Sequence, residues 1–288
     1  MKIYNRKNQS VESSSQYGGK LLDFLYNHCL GRVLLKFVVH PGFSRLFGLY
    51  NDTYLSRRRI KPFAEKYGIC LTDYEKTEYV SFNDFFRRKI KNGKRPVNME
   101  ASALVAPADS KLTVYPIHKN NSVLIKGVRY TLDELVGGRI DLTDFENGKC
   151  LIFRLSVDDY HRYIFVDGGR LKRKYGIRGQ LHTVSPISKN HKIYRQNSRV
   201  INVLETHNFG TIICIEVGAI LVGKIRNHPI REFQRGDEKG YFEMGGSTII
   251  LLFPEGCIDL DEDILQNCND ETEVKVTMGE KIGSKRVC

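Results

Sequence analysis

The stretch GYFEMGGSTIILLF at residues 240–253 contains a strong strand signal. Residues 247–253 are β-branched or apolar apart from Ser247 and carry no charge, which is typical of a strand buried on both faces. Gly245 and Gly246 stand directly before this run. Glycine before a strand commonly marks a bulge or turn, with the serine hydroxyl bonded to a backbone group. The alternative is a reactive hydroxyl at the entrance of the strand.

Short β-type runs continue on both sides of this stretch, separated by Gly, Asn, Asp and Pro. They lie at 103–115, 150–157, 160–166, 200–205, 211–225 and 274–278. Thr131 and Glu134 form a capping box that predicts one short helix among them. The sequence has no long alternation of strand and helix, which argues against a Rossmann-type sheet. The pattern predicts a β-rich, mainly antiparallel domain over 97–288.

The preceding part of the chain predicts helices. Residues 21–50 repeat large apolar side chains at helical spacing, with a break at Pro41. Residues 81–97 predict a further helix that begins at a Ser81 cap. Few acids and flanking Arg or Lys suit helices that lie in a membrane interface, although such helices can equally cap a core. We therefore predict an α+β fold with a helical, membrane-facing N-terminal region over 1–96.

The formal charge of +12 is grouped into three basic runs. They lie at residues 57–66, 87–95 and 170–178. Nucleic acid and anionic lipid both suit this pattern, as does a solvated surface that aids solubility. The sequence has no helix-turn-helix signature, zinc spacing or RNP motif, so it argues against nucleic acid.

The seven cysteines form no CxxC pair, and the polar segment Met1–Ser10 has no secretory h-region. The sequence therefore predicts free thiols in a reducing cytoplasm. No stretch approaches the roughly 20 apolar residues that span a bilayer.

Two further polar residues lie in strand-like surroundings. Asp109 follows Pro107 and Ala108, where an Asx-turn or cap is the ordinary role of such an aspartate. His161 lies in YHRYIFV, where a histidine is ordinarily a hydrogen-bonded core residue. On a continuous strand, residues 161, 163 and 165 would share one face. Ser247 does not suit a serine hydrolase, because a nucleophile elbow requires Gly-x-Ser-x-Gly followed by a helix.

Eight motifs, in this order and spacing, resemble the phosphatidylserine decarboxylase family of self-processing pyruvoyl enzymes. They are SFNDFFRRKIKNGKRPV (81–97), APADSKL (106–112), IKGVRYTLDELV (125–136), FRLSVDDYHRYIFVDGG (153–169), LHTVSP (181–186), NFGTIICIEVGAILVGKI (208–225), RGDEKGYFEMGGSTIILLF (235–253) and MGEKIG (278–283). Each motif is weak alone, but their shared order and spacing are specific, and the resemblance runs over nearly the whole length of the chain. In this family the Gly-Ser bond of GGST is the cleavage point.

The resemblance implies that Ser247 Oγ attacks the carbonyl carbon of Gly246 and converts the peptide bond to an ester. β-Elimination and hydrolysis then leave a β chain, 1–246, and an α chain, 247–288, that begins with a pyruvoyl group. It further implies that this group forms a Schiff base with phosphatidylserine and draws electrons as CO₂ leaves. His161 is then the proton donor that completes phosphatidylethanolamine.

Supporting roles follow from the same resemblance. Gly245 and Gly246 allow the peptide to bend and be approached closely, and Thr248 orients the scissile bond. Family members usually have a second histidine three residues after the first, which joins an aspartate and the serine in a protease-like triad. Asp109 matches that aspartate as the charge relay, but the second histidine position is Ile164. A triad without its base loses orders of magnitude in rate.

Two functions therefore compete. The first is a phosphatidylserine decarboxylase proenzyme, peripheral on the cytoplasmic face of the cell membrane, with a pyruvoyl group and neither metal nor pyridoxal phosphate. His161 and His182 are its candidates for a substitute base. Its basic runs and apolar helices would contact anionic lipid, phosphatidylserine included, and its processed units could form a homodimer. The second is an uncleaved, non-enzymatic membrane-binding descendant, which the isoleucine at Ile164 supports.

Overall fold

The computed structural model describes residues 2–13, 19–183, 193–219, 224–243 and 247–286. The strands are β1 Lys2–Asn5, β2 Ser10–Ser13, β3 Ala103–Val105, β4 Ser110–Pro116, β5 Ser122–Ile125, β6 Val128–Thr131, β7 Lys149–Leu155, β8 Arg162–Ile164, β9 Gly169–Ile177, β10 Arg199–Thr206, β11 Gly210–Val217, β12 Ile225–Asn227, β13 Glu232–Phe233, β14 Glu238–Phe242, β15 Ser247–Phe253, β16 Ile258–Leu260, β17 Thr272–Val276 and β18 Lys281–Lys285. The α-helices are α1 Gly19–Asn27, α2 Cys29–Val38, α3 Pro41–Asp52, α4 Ile60–Lys66, α5 Phe82–Phe86, α6 Leu132–Val136, α7 Ile193–Gln196 and α8 Glu262–Asn267. Short 3₁₀ helices cover Tyr54–Arg59, Leu71–Asp73 and Thr143–Phe145.

A ten-stranded sheet has the order β13-β9-β10-β11-β15-β7-β4-β17-β1-β2. The strand β15 lies in its middle and pairs antiparallel with both β11 and β7. The pairing of β1 with β17 is parallel, and the remaining pairings of this sheet are antiparallel. The predicted α+β class with a mainly antiparallel core is therefore confirmed.

Both faces of this sheet are covered. Phe153 and Ile249 belong to the apolar cluster on one face, whereas Ile152 and Ile250 belong to the cluster on the other. All seven residues of β15 are buried. A strand in contact with two apolar layers needs apolar side chains at every position, which explains why residues 248–253 show no polar alternation.

The N-terminal region contains more structure than the sequence indicated. The predicted helix pair over 21–50 forms three helices, and α3 begins at the predicted break, Pro41. The strands β1 and β2 were missed, and they extend the edge of the main sheet through β17. The predicted capping box on α6 is confirmed, because Thr131 and Glu134 make both of its hydrogen bonds.

The predicted helix over 81–97 is wrong beyond Phe86. Its Ser81 cap is present, since the Ser81 hydroxyl accepts from the Asp84 N–H at 3.1 Å. After Phe86 the backbone bonds to other elements: the Arg162 side chain donates to the carbonyls of Arg87 and Arg88. These tertiary bonds replace the ones that a continuing helix would need.

Candidate active site

Ser247 is the first residue of the central strand β15 and is fully buried. Its backbone pairs with Leu155 of β7, and Thr248 pairs with Arg154, so the two hydroxyls point to opposite faces of the sheet. Neither hydroxyl has a hydrogen-bond partner among the described residues. Leaving a buried polar group unsatisfied costs about 1–3 kcal/mol. The predicted scissile glycines Gly245 and Gly246 lie outside the described residues.

Asp109 lies in the turn between β3 and β4, at the same end of the sheet as Ser247. Lys111 pairs with Arg154, which places Ser110 beside Leu155, the residue that pairs with Ser247. Two strand spacings therefore separate the backbones near Asp109 and Ser247, roughly 10 Å. The topology brings the predicted aspartate and serine to one edge of the sheet.

The Asp109 carboxylate is bound by Arg95 and by the backbone of Met278, two partners that the sequence does not predict. Arg95 donates from Nε at 2.9 Å and from Nη2 at 2.6 Å, and the Met278 N–H donates at 2.8 Å. A two-pronged guanidinium contact fixes both the charge and the orientation of a carboxylate. In the described part of the chain, no histidine hydrogen-bonds to this carboxylate.

His161 is buried and lies in the turn before β8, not on the strand. The expected face sharing with residues 163 and 165 therefore does not apply to it. Its ring centroid lies 4.4 Å from that of Phe86, and its Nδ1 lies 2.9 Å from the Asp159 carbonyl oxygen. Because a carbonyl can only accept, Nδ1 carries the proton, and Nε2 is the acceptor of the neutral ring.

The backbone of His161 lies next to the strand that enters the predicted cleavage segment. The Phe242 N–H at the end of β14 donates to the His161 carbonyl oxygen at 3.0 Å. Five residues lead from Phe242 to Ser247, so these two lie at most about 17 Å apart. The contact thus places the His161 backbone beside the end of the strand that precedes Ser247 in the chain.

Comparison with known proteins identifies the family of the chain. Residues 82–284 match the family described as phosphatidylserine decarboxylase. The chain is 51% identical to phosphatidylserine decarboxylase proenzyme 2 of Clostridium acetobutylicum, over 98% of this chain and 97% of the relative. It is 38% identical to the phosphatidylserine decarboxylase proenzyme of Clostridium tetani, over 99% and 98% of the two chains. The chain belongs to the phosphatidylserine decarboxylase family. The predicted resemblance is confirmed.

The predicted triad lacks its second histidine, because position 164 is an isoleucine. Ile164 is 5% exposed and packs in the apolar cluster that contains Phe153 and Ile249. Its N–H donates to the Pro107 carbonyl at 2.9 Å, two residues before Asp109. The position therefore lies beside the loop that carries the aspartate, but its side chain offers no base.

His182, the other candidate base, lies where α1 meets the core. Its Nδ1 is 3.2 Å from the Tyr26 hydroxyl, and its Nε2 is 2.8 Å from Gln180 Oε1. Its N–H donates to Asn197 Oδ1 at 2.9 Å. None of these described contacts brings His182 to Ser247 or Asp109, so they give no support to its role as a substitute base.

Buried charges next to His161 were missed in the sequence. Lys111 Nζ lies 2.5 Å from Asp159 Oδ2, with both side chains less than 10% exposed. Burial raises the pKa of the Asp159 carboxyl, although Lys111 opposes this rise. The same carboxylate accepts from the Ser156 N–H at 2.7 Å. The pair therefore holds the turn whose carbonyl orients His161. In the sequence, a lysine at position 111 within the otherwise strand-like ADSKL could have indicated this buried ion pair.

Arg154 and Glu273 form a second buried ion pair, beside Thr248 in the sheet. Burial disfavours the ionised form of Glu273, but Arg154 and Lys126 outweigh it and hold the pKa of that carboxyl below its usual value. Among the residues that the structure describes, no group of three or more His, Cys, Asp or Glu side chains is placed to hold a metal ion.

Proposed function

We propose that this chain is a phosphatidylserine decarboxylase proenzyme, which cleaves itself between Gly246 and Ser247 and then converts phosphatidylserine to phosphatidylethanolamine and CO₂. The observation that carries the proposal is the buried Ser247 hydroxyl, which begins a central strand and lacks a hydrogen-bond partner within the described residues. Such a hydroxyl is poorly explained as a structural group, because a core position favours an apolar side chain or a satisfied one.

The chain's own residues suit the cleavage step. Ser247 Oγ forms a bond to the carbonyl carbon of Gly246 as the peptide C–N bond breaks, which gives an ester and a free amine at Ser247. β-Elimination then removes the Cα proton of residue 247, breaks its Cβ–O bond and releases the chain that ends at Gly246 as a carboxylate. Water hydrolyses the dehydroalanine left at position 247, and ammonia leaves as the pyruvoyl group forms. Pairing with β11 and β7 holds the new terminus in the sheet after cleavage.

The surroundings of position 247 also suit the prosthetic group that the family uses. A pyruvoyl group supplies an electron-withdrawing ketone in place of pyridoxal phosphate. Position 247 is fully buried, and Leu155 lies opposite it on the same face of the sheet. A dry apolar site excludes the water that would compete for a reactive carbonyl. In this proposal His161 acts in its protonated form: Nδ1–H stays bonded to the Asp159 carbonyl, and Nε2–H donates the proton that replaces the carboxylate.

The direct test is to purify the protein and measure its intact mass and its activity. We expect two chains, the second beginning at position 247, blocked to Edman degradation and modified by borohydride in the presence of an amine. We also expect release of CO₂ from phosphatidylserine. A single full-length species without carbonyl reactivity, after long incubation, would refute the proposal.

The second candidate is an uncleaved membrane-binding descendant, and the buried side chain of Ile164 favours it. The Ile164→His variant separates slow maturation from absent maturation. Because position 164 lies beside the Asp109 loop, a base there is expected to speed cleavage by about tenfold or more. The measurement is the fraction of cleaved chain over time by intact mass. Ile164→Gln is the matched control, because it is polar but not basic, and equal rates in the two variants would contradict this assignment.

We further propose that the protein binds peripherally to the cytoplasmic face of the cell membrane through α1–α3. Many large apolar side chains of these helices are exposed: Leu21, Phe24, Leu30, Val33, Leu34, Phe37, Phe43, Leu46 and Leu49. Exposed arginines at Arg57 and Arg58 follow directly in the chain. Within the described ranges, every helix is too short or too polar to cross a bilayer. An apolar face with a basic flank suits binding in the plane of an anionic interface. Association of processed units into a homodimer stays a prediction.

Replacing Leu30 and Phe37 together by Gln tests this surface. The two side chains are 78% and 67% exposed, so the fold should tolerate the change. Each side chain that leaves the lipid loses about 1.5–3 kcal/mol, so the double change predicts vesicle affinity at least about a hundredfold weaker. The assay is co-sedimentation with phosphatidylserine-containing vesicles. Leu265→Gln, on the exposed side of α8, is the control, and an equal effect of both changes would argue against this docking face.

A further inference from the structure

A cavity of about 560 Å³ lies between α4 and residues 68–79. The apolar side chains of Ile60 and Ala64, one helical turn apart on α4, form one wall. Ile69 and Leu71, which follow α4 in the chain, also line the cavity. The volume is within the range of small-molecule sites, which are concave and mostly apolar. None of these lining residues makes a described contact with Ser247, Asp109 or His161.

The mouth of the cavity carries four charged side chains whose formal charges cancel: Arg57, Lys61, Glu65 and Glu78. Arg57 Nη2 lies 3.5 Å from Glu78 Oε2, and Lys61 Nζ lies 4.0 Å from Glu65 Oε1. All four side chains are more than 40% exposed. Exposed ion pairs of this length contribute about 0–1 kcal/mol. A ligand with charges of both signs can therefore replace them at little cost.

We propose that this cavity binds one acyl chain of a zwitterionic phospholipid. The apolar walls suit the chain, the two cations suit the phosphate, and the two carboxylates suit the ammonium group. Tyr54 and Leu55, in the turn just before Arg57, are exposed and extend the apolar face of α3 to the mouth. A lipid could thus enter from a bilayer that contacts α1–α3. The proposal does not require Ser247 chemistry, because an uncleaved chain has the same cavity.

Cys70 provides a probe at this site without any substitution. It lines the cavity and is exposed, as is Cys29 at the start of α2. The full-length protein is alkylated with a maleimide, with and without lysophosphatidylethanolamine kept below its micelle concentration, and both cysteines are followed by peptide mass spectrometry. We expect the lipid to protect Cys70 saturably, so that the alkylation of Cys70 is about tenfold slower at a lipid concentration ten times the dissociation constant. The alkylation rate of Cys29 should change little. No protection of Cys70, or equal protection of both cysteines, would overturn the proposal.

Lysophosphatidylglycerol with the same chain tests the assignment of the head group. We expect it to bind more weakly than lysophosphatidylethanolamine, and the order to reverse when Glu65 and Glu78 are both changed to Gln. Glu75→Gln is the matched control, since Glu75 is an exposed acid of the same segment that does not line the cavity. Equal or tighter binding of the anionic lipid to the parent protein would overturn the zwitterionic assignment.

Cleavage and decarboxylation are measured on the same samples. Absent Cys70 protection in an active enzyme refutes the cavity proposal alone. Protection in an uncleaved, inactive chain refutes the proposed function alone.

Discussion

The Ser247→Ala variant is expected to remain one full-length chain and to lack decarboxylase activity. Without Oγ there is no nucleophile at the cleavage point, so neither the ester nor the pyruvoyl group can form. The rate should fall to that of the uncatalysed reaction, about 10⁶-fold or more. The fold should persist, because Ser247 is fully buried and its hydroxyl has no hydrogen-bond partner among the described residues. The measurements are intact mass, phosphatidylserine decarboxylation and thermal unfolding.

Thr248→Val is the matched control for this variant. Thr248 is the next residue of β15, equally buried, and its hydroxyl also lacks a partner in the described part of the chain. Valine keeps its shape and removes only the hydroxyl. We expect Thr248→Val to retain cleavage at a reduced or unchanged rate, since Thr248 is proposed only to orient the bond. Cleavage of Ser247→Ala, or equal loss in both variants, would contradict the assignment of Ser247 as the nucleophile.

The central strands could be predicted because their own side chains specify them. Residues 249–253 and 150–153 are apolar on both faces, and they form neighbouring strands in the middle of the sheet. The strands β1 and β2 could not be found this way. The pairing partner of β1 is β17, at Thr272–Val276, and nothing in a four-residue segment identifies so distant a partner.

The contacts of the candidate site residues could not be predicted from the sequence. The motifs pointed to Ser247, Asp109 and His161. The topology brings Ser247 and Asp109 to one edge of the ten-stranded sheet, whereas His161 lies before β8 of a separate three-stranded sheet. Arg95, however, was assigned to a basic run suited to anionic lipid, whereas its guanidinium binds Asp109 inside the protein. Charge patterning counts side chains but does not show which of them point inward, and that depends on tertiary structure.

The Arg95 contact changes how the missing histidine is interpreted. In a triad, the aspartate orients the base and stabilises its charged form. Here the Arg95 guanidinium already binds the Asp109 carboxylate. The second histidine position, next to the loop that carries Asp109, is occupied by Ile164. The Arg95 and Met278 contacts therefore hold the carboxylate in one orientation without a histidine partner. The predicted charge-relay role of Asp109 stays a prediction, and we propose that without a base at position 164 this residue mainly fixes the turn before β4.

The second large effect is expected at His161. The His161→Asn variant should cleave to two chains and yet decarboxylate about 10²–10⁴-fold more slowly per cleaved molecule. Asparagine is chosen because its Nδ2 can take the position of the ring Nδ1 and donate to the Asp159 carbonyl, which keeps the turn ordered. The substitution removes Nε2 of His161, and therefore the group that is proposed to donate the proton. The rate of CO₂ release is divided by the cleaved fraction, so that slow maturation does not appear as slow catalysis.

His207→Gln is the control for this experiment, because His207 is exposed and lies before β11, at the end of the sheet remote from Ser247. Its rate per cleaved molecule should equal that of the parent. An unchanged rate in His161→Asn would mean that another group protonates the product. A lower cleaved fraction with an unchanged rate would instead identify His161 as the substitute base for self-cleavage. The two measurements thus separate the roles that one buried histidine could have, because proton donation acts after the chain is cut and base catalysis acts before it.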